Sequence, residues 1–402
     1  QEDVLQLVLE FILILVNKFV PGKALFIAFD GVPPFAKLKE QAHRRETRTG
    51  TRLDSNIISP GTEFMSDLTC NLTKRLEKVS STRGIKIVLS PFEVKGEGEH
   101  KIFHHIRQNM KEKQKVVVYG IDADLILLAL LSPVSGLTIV REQRKTKDLA
   151  IVKKKFDSVD IPVLRGRLLK SYQLRKVAFL RDIVLILMMV GNDFLPRPDG
   201  LDLNFAFDTV LSTLRSFHEA EATNQLSDEE GNIFYRKFSS LIDAIDDRYV
   251  NKELPDDLET QMAQLALSTP DLALMEKYRT WRFDNYRKWH AMGQSEVADI
   301  ANDYLKGLQW LLKYYMNNSY EEHSSFPHEY VPRLSDLRVN GQREVKHSIV
   351  LPLARSPIHH LALILPASAS SLLPEGYQGL LSTAQRGNRT VEGLRKLLYT
   401  ME

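Results

Sequence analysis

Four groups of carboxylates stand out in the first half of the sequence, because each is flanked by glycine and falls where a strand or helix should begin or end. Asp30 follows the apolar run Ala24 to Phe29 and precedes Gly31. Glu97 and Glu99 alternate with Gly96 and Gly98, Asp122 and Asp124 follow Val116 to Tyr119 across Gly120, and Asp193 closes Gly191-Asn192-Asp193. Taken singly, an Asp after a strand suits a turn or a helix cap, and a Gly-Glu-Gly-Glu stretch suits an exposed acidic loop. The joint pattern asks for more. In an open parallel sheet the ligand crevice lies at the carboxyl ends of the strands, where at least Asp30 and Asp122 should converge. Carboxylates crowded into one crevice repel one another unless cations neutralise them, and an all-oxygen cluster suits Mg²⁺ or Mn²⁺. Two such ions about 4 Å apart would activate water and stabilise the leaving oxygen of a phosphodiester.

A basic segment follows Asp30. Lys37, Gln41, Arg44 and Arg45 are spaced so that a helix would carry them largely on one face. Guanidinium forks bind phosphate bidentately and a helix start adds backbone donors, although on charge alone this could be a solvated face. The run Arg141, Arg144, Lys145, Lys147 and Lys153 to Lys155 could track a nucleic-acid backbone, or equally form a solvated loop. His100 is expected to hydrogen-bond at a helix start rather than ligate a metal, since hard oxygens already surround it.

The elements that must position these groups are legible from period. Helical stripes (Val4 to Val20, Phe64 to Val79, Ile102 to Met110) alternate with β-branched runs at Ala24 to Phe29, Ile85 to Leu89, Val116 to Tyr119 and Leu137 to Val140. That is the βαβ signature of a parallel sheet with helices on both faces. Ser59-Pro60-Gly61 reads as a helix start, with Ser59 as cap. Leu164 to Phe194 is mostly helical, and the sequence beyond Leu201 turns acidic and mainly helical. After Pro327 the recurring prolines imply short elements packed on something larger. We therefore expect an α/β core over 1–200 and a mainly helical region over 201–402 packed on it.

Composition narrows the class. With 54 basic and 51 acidic residues the net charge is +3, so no global field points to nucleic acid and any such signal is local. The 43% hydrophobic share is enough for a sizeable core. The single Cys70 excludes an internal disulfide and a cysteine zinc site, which fits a reducing compartment. The apolar run Phe11 to Val16 is far below the roughly 20 residues of a membrane span, and neither a basic leader nor a cleavage site flanks it. Trp281, Trp289 and Trp310 lie in helical-looking sequence and are expected in the core. The chain opens inside a helical pattern and without Met, so we expect its natural beginning to lie upstream.

In this order and spacing the strings FIAFDGVPPFAKLKEQAHRRE, ISPGTEFM, KGEGEHKI, YGIDADLILLAL and VGNDFLP closely resemble the XRN family of 5′-to-3′ exoribonucleases. YLKGLQWLLKYY, YVPRLSDL and LALILPASASSLLP resemble that family's second conserved block. The resemblance runs from Lys23 to about Pro374 and is weakest in the acidic middle. It implies a PIN-like α/β nuclease core with a parallel central sheet, Mg²⁺ or Mn²⁺, and release of mononucleotides from single-stranded RNA bearing a 5′-monophosphate. It further implies that Asp30, Glu97, Glu99, Asp122, Asp124 and Asp193 are metal-site carboxylates, and that Lys37, Gln41, Arg44 and Arg45 form the 5′-phosphate pocket.

There are departures from the family pattern. Phe35 stands where a basic residue is expected, which should alter the pocket entrance. Tyr320 to Phe326 lacks the family's tryptophans, so base stacking there is not expected. The family's amino-terminal segment supplies a further metal-site Asp that this sequence does not contain, so the chain as written is expected to be a weak or inactive nuclease. Two other functions fit the same residues: a non-cleaving relative that binds RNA or a protein, and a structure-specific nuclease resembling the flap endonucleases. GEGEHK and GNDFLP favour the exoribonuclease. Family members of the nucleus often carry a zinc-knuckle insertion, so this chain is expected to be intracellular and of the cytoplasmic kind.

Overall fold

The alternation of periods in the sequence becomes an alternation of helices and strands. The computed structural model describes residues 2–47, 55–143, 155–171, 177–198, 201, 203–221, 223–249, 294–317, 326, 328, 331–338 and 356–378. In chain order the elements are α1 (Glu2–Phe19), β1 (Ala24–Ala28), α2 (Leu38–Thr47), α3 (Glu63–Arg83), β2 (Lys86–Ser90), α4 (Gly98–Asn109), β3 (Lys115–Tyr119), α5 (Asp124–Leu130), β4 (Gly136–Glu142), β5 (Phe156–Asp160), α6 (Ile161–Ser171) and α7 (Val177–Met188). There follow α8 (Leu203–Phe205), which runs through a π turn into α9 (Leu211–Ala220), then α10 (Tyr235–Tyr249), α11 (Gln294–Asn317) and α12 (Pro357–Ile364). None of the described helices is long and apolar enough to cross a membrane.

The chain forms two compact units, and neither is continuous. The first comprises Gln1–Leu168, Tyr315–His323 and Val350–Glu402; the second comprises Leu169–Tyr314 and Ser324–Ile349. The division falls near the end of α6, and the chain returns to the first unit twice, where sequence alone suggested one crossing near residue 200.

In the first unit the fold is α/β. β1 and β2 pair in parallel, Ala24 against Lys86 through Ala28 against Ser90. β3 and β4 also pair in parallel, but β5 runs antiparallel to β4. Where a single parallel sheet is expected from the sequence, backbone hydrogen bonds give two sheets among the described residues, ordered β1-β2 and β3-β4-β5. Alternation along the strands sets their two faces. Leu25, Ile27, Phe29, Ile87 and Leu89 pack on a core of Leu5, Ile12 and Val16 from α1 with Met65, Leu68, Leu72 and Leu76 from α3. The opposite face carries Phe26, stacked at 4.3 Å on His105 of α4. Helices thus cover both faces. Although α1 is apolar on most sides, only the stripe Leu5, Ile12 and Val16 is buried, and Leu7 is half exposed.

The second unit is built mainly from helices. Its α7 is buried almost all round, including the polar side chains Arg181 and Asp182. The Asp182 carboxylate, 0% exposed, accepts from His218 Nε2 at 2.8 Å, Leu226 N at 2.8 Å and Ser227 Oγ at 3.0 Å. Arg181 donates to Ser227 O at 2.7 Å. Paired and hydrogen-bonded in this way, buried charge is tolerated. Trp310 is in the core, 5% exposed, as its sequence suggested; Trp281 and Trp289 lie outside the described residues.

Candidate active site

The two strand ends β1 and β2 and the start of α4 are drawn together by backbone contacts that only glycine permits. Gly31 N donates to Gly96 O at 2.8 Å, and Gly96 N donates to Val32 O at 2.9 Å. A Cβ on Gly31 would stand 2.1 Å from Val94 O, inside any van der Waals limit. Asp30, exposed at the end of this turn, accepts the Gly98 N–H on Oδ1 at 2.7 Å and so faces the first turn of α4. Behind it, Lys101 Nζ donates to Phe29 O and Pro91 O, both at 2.8 Å, tying the ends of β1 and β2. Burial lowers Lys101 to about 8, against the opposing pull of Asp30 and Glu93. Replacing Gly31 by Ala is therefore expected to lower stability by about 2–3 kcal/mol, because backbone rather than a flexible side chain must yield. Thermal unfolding checks this, and an unchanged midpoint would show that the 91–97 loop gives way freely.

Glu97 and Glu99 start α4, and Asp124 starts α5, where the helix dipoles favour negative charge. Glu97, 4% exposed, forms an ion pair with Lys37, itself 8% exposed. Burial raises Glu97 to about 7; Lys37 opposes the rise, while Asp30 and Asp124 add to it. Glu99 is raised well above the carboxylate range by burial first, then by Glu97 and Asp30. The Asp124 carboxylate is hydrogen-bonded to Tyr315, from the last turn of α11, whose hydroxyl is held far above its ordinary value by burial and then by Asp124. The His100 ring meets Tyr315 edge-on at 5.0 Å, and Arg107 donates to Tyr315 O at 3.2 Å. Burial, then Arg107 and Lys37, push His100 well below its usual range, so the imidazole is neutral.

Of the six carboxylates, four therefore form one interacting group: Asp30, Glu97, Glu99 and Asp124. Asp122 is exposed and is not among the charges acting on Glu97 or Glu99. Asp193 lies in the second unit, after a turn in which Gly191 has φ +107° and Asn192 Oδ1 accepts from Phe194 N and Leu195 N at 2.9 Å. Among the described residues no three His, Cys, Asp or Glu side chains stand ready to hold a metal ion. The donors nevertheless suit a hard divalent cation, since all are carboxylate oxygens, and burial first, with the neighbouring carboxylates adding to it, raises Glu97 and Glu99, a cost that nearby positive charge offsets as Lys37 does for Glu97. Sequence reasoning did not single out Tyr315, whose only signal was its place in the YLKGLQWLLKYY string.

The basic segment divides its side chains. Lys37, on a short 3₁₀ turn before α2, turns to Glu97. Gln41 Oε1 lies 2.9 Å from His360 Nε2 of α12. Arg45 places Nε and Nη2 at 3.2 and 3.1 Å from Ser59 Oγ, and Nη1 at 3.3 Å from Gln41 O. Arg44 is exposed and pairs with Glu40 one turn back. One expectation is corrected. Thr62, not Ser59, caps α3, its Oγ1 accepting from Met65 N, because Ser59 lies buried against Arg45. Phe35, at the position where a basic residue is expected, is 4% exposed. Arg141 and Lys155 are exposed; the rest of that basic run and Tyr320 to Ser325 lie outside the described residues.

Comparison with known proteins covers most of the quoted strings, while VGNDFLP, at residues 190–196, lies outside the ranges that the two family models match. The model of the XRN 5′-3′ exonuclease N-terminus matches residues 1–50 and 46–143, and that of the Xrn1 helical domain matches residues 273–387. The chain belongs to the XRN 5′-3′ exonuclease family. It is 23% identical to 5′-3′ exoribonuclease 1 of Saccharomyces cerevisiae, over 96% of this chain and 37% of that protein. To 5′-3′ exoribonuclease 1 of Homo sapiens it is 26% identical, over 90% of this chain and 27% of that protein. Against 5′-3′ exoribonuclease 2 of Schizosaccharomyces pombe the identity is 31%, over 46% of this chain and 25% of that protein. The chain thus spans well under half the length of these relatives. A solved structure of the catalytic core of Rad2 in complex with DNA substrate overlaps with a TM-score of 0.27 at 14% identity, covering 63% of this chain and 64% of that one, too weakly to bear on the site.

Proposed function

We propose that this chain carries the nuclease core of a 5′-to-3′ exoribonuclease that hydrolyses single-stranded RNA with a 5′-monophosphate to mononucleotides and requires Mg²⁺ or Mn²⁺. The observation that carries the reading is Lys37. It joins the two halves of the site, pairing with Glu97 of the carboxylate group while standing one helical turn before Gln41 on the basic helix. The end of a chain held by its phosphate at α2 would thus lie beside the carboxylates.

Asp30, Glu97, Glu99 and Asp124 would hold the cation, with Asp122 as a further carboxylate that the family pattern adds. Bound there, the cation supplies an activated water and charge stabilisation for the leaving oxygen. The chain's own residues orient the group: the Gly98 N–H holds Asp30, and the Tyr315 hydroxyl holds Asp124. Gln41, Arg44 and Arg45 donate to the phosphate, charge-assisted hydrogen bonds being the strong ones.

The test is decay of 5′-phosphorylated RNA in Mg²⁺, with EDTA abolishing it and added Mg²⁺ restoring it. Mononucleotides are the expected product, and oligonucleotides from branched DNA would indicate a flap nuclease instead. A second reading is favoured by one observation: Lys37 already pairs with Glu97 and so takes the place of a cation there. Retained RNA binding without hydrolysis in either cation would decide for a non-cleaving RNA binder.

A further inference from the structure

Two buried side chains, His360 and Ser59, contact Gln41 and Arg45 of α2, and neither was read from the sequence as part of the phosphate pocket. His360 is 0% exposed, yet its Nε2 lies 2.9 Å from the Gln41 carboxamide oxygen rather than from a backbone carbonyl. A carboxamide oxygen only accepts, so Nε2 carries the proton, and Gln41 is turned with its oxygen inward and its amide N–H₂ as the donor end. Ser59, 1% exposed, takes Arg45 Nε and Nη2 on one hydroxyl oxygen, at 3.2 and 3.1 Å. With Nη1 on Gln41 O, this fixes the plane of the guanidinium.

Both contacts come from one rigid support. At Gly61, where φ is +99°, an added Cβ would stand 2.6 Å from Pro357 O, so the turn that bears Ser59 and the first residue of α12 meet backbone to backbone. Thr62 Oγ1 locks that turn through Ile57 O at 2.6 Å and Ser59 O at 3.0 Å, and Ser356 caps α12 by accepting from His359 N. Long polar side chains lose rotamer freedom when they grip a ligand, and fixing them beforehand removes that cost from binding.

We infer that His360 and Ser59 are positioning residues for recognition of a phosphate monoester by α2, with His360 setting the amide of Gln41 and Ser59 setting the guanidinium of Arg45. This rests on the reading of α2 as the 5′-phosphate face. Without touching the phosphate, they set its discrimination from a hydroxyl.

The experiment measures binding, so it needs no turnover. The affinity of the purified chain for a short single-stranded oligoribonucleotide with a 5′-monophosphate is compared with that for the same oligomer with a 5′-hydroxyl, by fluorescence anisotropy in EDTA. His360→Ala and Ser59→Ala should each lower the phosphate-over-hydroxyl ratio roughly tenfold while affinity for the 5′-hydroxyl oligomer is unchanged. His360→Gln, whose side-chain amide can still donate to Gln41, should restore most of the ratio, which a packing defect would not allow. Arg44→Ala is the control for the parent reading. Loss of the ratio in that variant, with both alanine variants folded by thermal melting and retaining it, overturns the positioning role alone. If His360→Ala unfolds, the inference is decided by His360→Gln and Ser59→Ala, and a ratio that Ser59→Ala leaves at the wild-type value overturns it. No phosphate preference in the unaltered chain removes the parent reading, and this inference with it.

Discussion

The double variant Arg44→Ala, Arg45→Ala is expected to lose its preference for 5′-monophosphate over 5′-hydroxyl RNA while keeping the response of the carboxylate group to divalent cations. Each lost charge-assisted phosphate contact costs roughly 1.5–3 kcal/mol, or about ten- to a hundredfold, so the pair together should remove at least two orders of magnitude. The two residues should differ in what they do to the fold. Arg44 is exposed and its pairing with Glu40 is a surface i,i+4 contact, so Arg44→Ala alone should leave stability within about 0.5 kcal/mol. Arg45 sits half-buried on the Ser59 hydroxyl and the Gln41 carbonyl, so Arg45→Ala should cost about 1 kcal/mol in addition. Competition between the two RNAs measures the first effect and chemical denaturation the second. A double variant with full preference would make this stretch a solvated face.

How much of this was legible beforehand differs between elements, for physical reasons. The helices α1, α3 and α4 and the strands β1 to β4 announced themselves through period, because each buries one stripe or one face against a neighbour. β5 did not. Its residues Phe156–Asp160 are largely polar and pair at the outer edge of β4, with Asp157, Ser158 and Asp160 exposed and Phe156 meeting Phe19 of α1, too short an apolar signal to read as a strand. The placing of Asp30, Glu97, Glu99 and Asp124 followed from strand ends and glycines, which are local. What escaped was long-range: Gln41 and His360 are 319 positions apart, and Tyr315 reaches Asp124 from a helix that begins in the other unit. The ion pair of Lys37 with Glu97 escaped for a related reason, since one-dimensional spacing put Lys37 with the phosphate donors and said nothing of the face that it shares with the carboxylates.

A divalent cation is expected to stabilise the chain strongly at pH 8 and weakly at pH 5.5, and the carboxylates set the sign. Glu97 titrates near 4.5 when unfolded and at about 7 when folded, so its contribution to stability is complete below 4.5 and is lost as pH rises to 7. By pH 8 the loss is on the order of 3 kcal/mol, with Glu99 acting in the same direction. His100 runs the opposite way, since its folded value is lowered and the unfolded state takes up a proton as pH falls below 6.5. Stability of the cation-free chain alone is therefore a mixed signal. The difference made by Mg²⁺ or Mn²⁺ at each pH is cleaner, because proton uptake by His100 in the unfolded state is the same with and without the ion. A cation bound by Glu97 must displace its proton, so its stabilisation should fall by about 2 kcal/mol per displaced proton between pH 7 and pH 5.5. Lys101, lowered by burial to about 8, is already releasing its proton at the highest of these pH values, so the comparison between pH 5.5 and pH 7 carries the test. Denaturant unfolding with and without millimolar Mg²⁺ at pH 5.5, 7 and 8 reads the effect directly. An ion that stabilises equally at all three would be binding elsewhere. No stabilisation at any pH would leave Lys37 as the only counter-charge that Glu97 accepts, and would move the chain from the nuclease reading to that of a non-cleaving RNA binder.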